Sequence, residues 1–214
     1  MNIQCIIPAR GGSKGIYKKN VTNFCGKPLL AWTIDQCLNA EKVSDVWVSS
    51  DDDEILNAAE SYGAKIIKRP VEISVDISTS ESTWLHAIDY LKTNGEPVDI
   101  VLGPQVTSPL REVSDIDDAI DKFIEGGYDS MFSASMVEDF FFWGESSSGI
   151  KSINYDYKNR QRRQDVNEQI IENGSFYLFK TDVIQNFNNR MGGKIGYSKM
   201  DFWKMFEIDD VNDL

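Results

Sequence analysis

One histidine, three cysteines and no apolar run long enough to span a bilayer set the first limits on this chain of 214 residues. His86 sits alone in a stretch of helical spacing, so it reads as a packed or surface side chain, and no nucleophile–histidine pair is in view. Cys5, Cys25 and Cys37 are odd in number and show no CxxC spacing. That pattern excludes a zinc knuckle and implies free, buried thiols in a reducing cytoplasm. The apolar run before Arg10 is too short for a signal peptide or a membrane span. Basic residues are also in deficit, 22 against 34 acids, for a net charge of −12. Such a surface repels nucleic acid and anionic membrane. Acid is missing from the first stretch of the chain. Residues 1–34 contain Arg10, Lys14, Lys18, Lys19 and Lys27 and no carboxylate, leaving −17 on the remaining 180 residues. Five locally uncompensated cations in an acidic chain read as an anion site.

What is present is a regular alternation. "IQCIIP" is a short buried strand; "KPLLAWTIDQCLNA" has helical spacing, with Pro28 suited to a first turn. "VSDVWVSS" predicts a strand and "DDEILNAAESYG" a helix started by acids and closed by Gly63. "AKIIKRP", "VDIVLG" and "DSMFSASMV" predict further strands. "STSESTWLHAIDYLKTNG" and "SDIDDAIDKFIEGG" predict the helices between them. The order implies an α/β fold: an open, mostly parallel twisted sheet with helices on both faces, in one domain over 1–214. Ligands then belong beyond the C-terminal ends of the strands. From 140 to 172 the rhythm breaks into an excursion from the sheet. "NGSFYLFK" restores strand character, and "FWKMFEI" is a last apolar run. No repeats or low-complexity tracts interrupt the chain.

The loop after the first strand, "PARGGSKGIYKKN", carries Gly11, Gly12 and Gly15 among its cations. Glycines there let backbone N–H groups turn toward an anion. The loop fits neither GxxxxGK[ST] nor GxGxxG, so a phosphate loop and a dinucleotide fingerprint are both rejected. A mobile, accidentally cationic turn is the alternative.

"IPARGGSKGIYKKN" resembles the signature of the acylneuraminate cytidylyltransferase family, which includes the synthetases of CMP-sialic acid and of related CMP-nonulosonic acids. "VSSDDDEI", "IIKRPVEISVDIST", "PQVTSPLR", "RRQD", "ENGSFYLF" and "FEIDDVNDL" resemble later segments of that family in the same order, so the similarity covers nearly the whole chain. The resemblance implies a nucleotidyltransferase-like sheet and transfer of CMP from CTP to a 2-keto sugar acid, with magnesium as cofactor and pyrophosphate as by-product. It implies a cytoplasmic homodimer whose excursion, 140–172, reaches into the partner. "FFFW" at 140–143 suits that contact, core packing being the other reading.

The resemblance also implies roles for individual residues. Arg10, Ser13 and Lys19 would hold the phosphates, and a triphosphate's negative charge makes cations there sensible. Asn20, Arg69 and the Ala9 backbone would frame the cytidine, although Arg69 before Pro70 also suits a strand end. Ser80 would touch the nucleotide or cap a helix. Gln105, Arg163 and Asn173 would meet the sugar acid, a guanidinium fork suiting its carboxylate, although Arg163 beside Arg160 and Arg162 also reads as part of a solvated basic loop. Here Val106 stands where the family has proline. Thr107, Ser108 and Arg111 would contact ligand or brace the loop. Glu207 and Asp209 would hold magnesium, Glu207 replacing an aspartate with a longer side chain of the same hard oxygen chemistry. If 207–209 is a strand, both point to one face. Without the resemblance they read as an acidic tail. Arg10, Lys19 and Gln105 are the expected catalytic set.

Two other classes compete. A nucleotide-sugar glycosyltransferase would use "DDDE" at 51–54 as its metal motif, where a capped helix start is the plainer reading. A dehydrogenase or a non-catalytic nucleotide sensor could share the sheet.

Overall fold

The computed structural model describes every residue of 1–214 except Lys14, Asp76, Asp139, Arg163, Gln164, Val166 and Asn167. Seven strands form the central sheet: β1 (Ile3–Pro8), β4 (Asp45–Ser50), β5 (Lys65–Lys68), β6 (Ile100–Pro104), β7 (Ser130–Val137), β10 (Gln169–Lys180) and β11 (Ile195–Met200). Their order is β11-β7-β10-β6-β1-β4-β5. β1 pairs in parallel with β4 and β6, β4 with β5, and β7 with β11, while β10 runs antiparallel to both β6 and β7. The sheet is therefore open and parallel but for one strand, as the alternation implied.

Period-two alternation sorts side chains onto the two faces. Ile3, Cys5 and Ile7 of β1 face one core, together with α1 (Leu29–Leu38), α2 (Asp53–Ser61) and α4 (Val113–Glu125). Ile6 faces the other, with Val101, Phe179 and the helices α3 (Ser80–Thr93) and α5 (Thr181–Phe187). Burying these stripes supplies the main favourable term in folding. Cys5 and Cys37 are buried free thiols, whereas Cys25 is exposed, because it sits in a left-handed turn (φ 50°) between the short strands β2 (Asn23–Phe24) and β3 (Lys27–Pro28).

Three elements differ from expectation. β11 is a sixth parallel strand in "IGYSKM", a stretch with weak apolar alternation. "FWKM" is a 3-10 turn over Phe202–Met205, and residues 206–209 are irregular rather than a strand. The excursion contains a two-stranded hairpin, β8 (Trp143–Ser146) with β9 (Gly149–Ser152), separate from the main sheet.

Candidate active site

β1, β4, β5 and β6 all end at one edge, and a cleft of about 410 Å³ opens there. Arg10, Ser13, Lys19 and Asn20 reach it from the first loop, Arg69 from the end of β5, Ser80 from α3, and Gln105 from the end of β6. Residues far apart in sequence thus converge because parallel strands deliver their C-terminal loops to one side.

The first loop is held by acids from elsewhere. Asp51 accepts the Gly11 N–H at 3.1 Å and lies 3.7 Å from the Arg69 guanidinium. A side chain at Gly11 would press on Asp52, its Cβ lying 2.7 Å from Oδ2, and one at Gly15 would overlap the Asp209 carbonyl oxygen. Close approach to these neighbours is what requires glycine at both positions. Lys18 leaves the helical region (φ 50°) and pairs with Glu54, and Lys27 pairs with Asp35. The cations that lack local counter-ions in the sequence are therefore partly compensated by tertiary structure. Lys19 donates to Asp209 Oδ1 at 2.9 Å and to the Ile208 carbonyl at 3.0 Å, tying the loop to the end of the chain.

"DDDE" is fully committed: Asp51 to Gly11, Asp52 to capping α2 through Glu54 N and Ile55 N, Asp53 to Lys68, and Glu54 to Lys18. The four carboxylates turn to four separate partners and do not converge on one point.

Asn20 is buried and donates to the Arg10 carbonyl at 2.9 Å. The Ala9 N–H bonds the Ser49 carbonyl at 3.0 Å, completing the β1–β4 seam. Arg69 is 4% exposed; Nε donates to Ser74 at 2.9 Å and Nη1 to Thr83 at 2.6 Å. Burial lowers its pKa and Asp51 opposes that shift. The helix cap is Thr79, whose hydroxyl accepts from Ser82 N at 3.2 Å, leaving Ser80 exposed at the cleft. Arg111 is buried and braces the β6 loop, bonding the Ser175 carbonyl and the Thr33 hydroxyl.

The "NG" step of β10 is a bulge, with its register against β7 shifting between Glu172 and Tyr177 and Gly174 at φ 69°. Asn173 builds it: Oδ1 accepts from Ser175 N and Nδ2 donates to Ser135. Its buried amide is committed to the sheet, so Asn173 is not among the residues lining the cleft. Gly174 in turn lets Glu207 and Gln105 close over β10; a Cβ on it would lie 2.6 Å from Glu207 Oε1 and 3.4 Å from Gln105 Oε1. The Thr107 hydroxyl lies between Gln105 Oε1 at 3.3 Å and Glu207 Oε2 at 3.5 Å and donates its one hydrogen to either. Glu207 and Asp209 thus meet Gln105 and Lys19 although they lie on no strand. Burial, then the charge of Asp209, raises the Glu207 pKa from its ordinary value.

Among the described residues no cluster of three or more His, Cys, Asp or Glu stands ready to hold a metal. A pair of carboxylates nonetheless suits magnesium, which keeps several waters and takes further oxygens from substrate phosphates. Thr83, Trp84, Tyr177 and Arg190 also line the cleft, and no motif in the sequence points to them. Arg163 lies outside the described residues.

Comparison with known proteins decides between the readings. The family described as cytidylyltransferase matches residues 4–189. The chain belongs to this cytidylyltransferase family. It is 36% identical over 203 residues to N-acylneuraminate cytidylyltransferase A of Danio rerio, covering 93% of this chain and 46% of that one. It is 34% identical over 179 residues to pseudaminic acid cytidylyltransferase of Campylobacter jejuni, covering 81% of this chain and 76% of that one. The chain thus spans about half the length of the vertebrate relative. A solved CMP:2-keto-3-deoxy-manno-octonic acid synthetase complexed with CTP superposes with a TM-score of 0.72 at 14% identity, over 98% of this chain and 94% of that one. That likeness shows the shared fold.

Proposed function

We propose that this chain transfers CMP from CTP to the anomeric hydroxyl of a sialic-acid-like 2-keto sugar acid. The hydroxyl gives up its proton to solvent, its oxygen bonds to the α-phosphorus, the bond to the bridging oxygen breaks in line, and pyrophosphate leaves. The observation that carries the reading is Lys19, which lines the cleft and joins the glycine loop to the Ile208 carbonyl and the Asp209 carboxylate. A triphosphate laid there would meet a cation on one side and two hard oxygen ligands on the other.

In this reading Arg10, Ser13 and Lys19 hold the phosphates, and Asn20, Arg69, Ser80 and the Ala9 backbone frame the nucleoside. Gln105 orients the sugar acid, whose carboxylate falls to Arg163. Asn173 serves through the bulge it supports. Glu207 and Asp209 would hold magnesium, which when bound neutralises phosphate charge. Positioning and charge neutralisation supply the rate, with no covalent enzyme intermediate. A GTP-using nucleotidylyltransferase differs only in the base. A glycosyltransferase loses support because its expected metal motif is spent on a helix cap and ion pairs.

The working unit is proposed to be a cytoplasmic homodimer. Phe142, Trp143, Phe202, Trp203 and Phe206 are exposed large apolar side chains, and Phe202 stacks near both Phe140 and Phe206, with ring centroids 5.6 and 6.1 Å apart. A second copy would cover them. No helix among the described residues is long and apolar enough to cross a membrane.

Incubation with CTP, magnesium and a panel of nonulosonic and octulosonic acids, with pyrophosphate as readout, tests the reading. Release with at least one acid and CTP is expected. No release with any acid and any nucleoside triphosphate contradicts it.

A further inference from the structure

Arg190 follows α5 and lines the cleft beside Tyr177 of β10. Its guanidinium lies over the Tyr177 ring, 4.2 Å from the centroid, with Trp84 at 5.8 Å. Nη1 donates to Glu81 of α3 at 2.6 Å, and Nε is buried with no acceptor among the described residues. The Tyr177 hydroxyl is turned to Glu172 at 2.5 Å. Arg69, by contrast, has its fork occupied by Ser74, Thr83 and Asp51.

Three features define what this end of the cleft can take. Arg190 and Glu81 together carry no net charge, so the site does not select an anion. Nε is sealed from the cleft, so an added acceptor oxygen must meet the guanidinium's terminal N–H groups, of which Glu81 and Tyr177 engage only part. In the strand order, β10 lies two strands from β1, or roughly 10 Å at sheet spacing. A nucleotide held by the β1 loop and Arg69 therefore leaves the β10 end to the second substrate.

We propose that Arg190, stacked on Tyr177 and backed by Glu81, is a specificity-determining residue that takes an acceptor oxygen of a neutral polar substituent, hydroxyl or acylamino, on the sugar acid. The inference rests on the cytidylyltransferase reading above. Lysine cannot replace this arginine, because an ammonium has neither the planar face nor the fork.

The test compares wild type with Arg190→Met and Arg190→Lys. Pyrophosphate release gives KM for CTP and for the sugar acid, calorimetry gives sugar-acid binding, and thermal denaturation confirms the fold. Arg190→Met is expected to raise the sugar-acid KM roughly 10- to 100-fold, with the CTP KM within about twofold. Arg190→Lys keeps a cation against Glu81, so it remains informative if the methionine variant fails to fold, and it should lose in the same direction. An analogue in which hydrogen replaces the polar substituent should lose nothing further on mutation, since the interaction is already gone. An unchanged sugar-acid KM, an equal rise in the CTP KM, or an equal loss with the deoxy analogue overturns the inference. Wild type that binds no sugar acid also overturns it. If wild type binds sugar acid but releases no pyrophosphate, the cytidylyltransferase reading fails, and the calorimetric comparison of wild type with the variants still decides the role of Arg190.

Discussion

At the glycine-loop end of the cleft, Lys19 grips the Asp209 carboxylate across 190 residues of sequence, and Arg69 is locked by Ser74, Thr83 and Asp51. At the β10 end, Arg190 rests on an aromatic ring, with one donor on Glu81 and its buried Nε without an acceptor among the described residues. The first end is an electrostatic clamp assembled before any ligand arrives, so its orientation cost is already met by folding. The second is neutral and incompletely bonded, which suits selection among similar polar groups rather than capture of charge. On the proposed reading, one cleft separates holding a charged nucleotide from choosing its acceptor.

Breaking the clamp should have the largest effect. Lys19→Ala is expected to lower kcat/KM for CTP roughly 100- to 1000-fold, with an unchanged circular dichroism spectrum; wild-type kinetics would remove Lys19 from the site. Asp209→Asn removes charge but not shape. It should lower activity on the order of tenfold and raise the magnesium needed for half-maximal rate, as a metal titration would show. Gly15→Ala should act on the clamp indirectly, because the new methyl displaces the Asp209 backbone. Its melting temperature should fall by about 2–8 °C, measured by scanning calorimetry.

The smallest effect sharpens the electrostatic side of the comparison. The Glu207 pKa is raised in the folded state by burial and by Asp209. The folded protein therefore binds that proton more tightly than the unfolded chain, and stability falls as pH rises through the window between the two pKa values. Without metal at neutral pH, Glu207→Gln should raise the melting temperature by about 1–2 °C. The difference should vanish at pH values below the unfolded carboxylate range. A lower melting temperature for the variant at neutral pH would show that the carboxylate is stabilised by partners, not strained.

The two ends were not equally legible in sequence. The loop could be read because its glycines and cations are contiguous, and the alternation of strand and helix placed it at a strand's C-terminal end. Its counter-ions could not, since Asp51, Glu54 and Asp209 meet it only after the sheet has formed. The β10 end left almost no trace, being made of Glu81, Tyr177 and Arg190 from three separate elements. Asn173 shows the converse. It stands in a conspicuous motif, yet its amide is spent on the bulge that lets Glu207 and Gln105 approach. β11 was missed because "IGYSKM" has little apolar alternation; its pairing to β7 is fixed by the sheet, not by its own composition.

A crystal structure with CTP and magnesium tests the central claim most directly. The account predicts triphosphate oxygens within hydrogen-bonding distance of Lys19 Nζ, beside the Glu207 and Asp209 carboxylates that would hold magnesium. A nucleotide bound away from the first loop, or phosphates that leave the Lys19–Asp209 edge untouched, would contradict it.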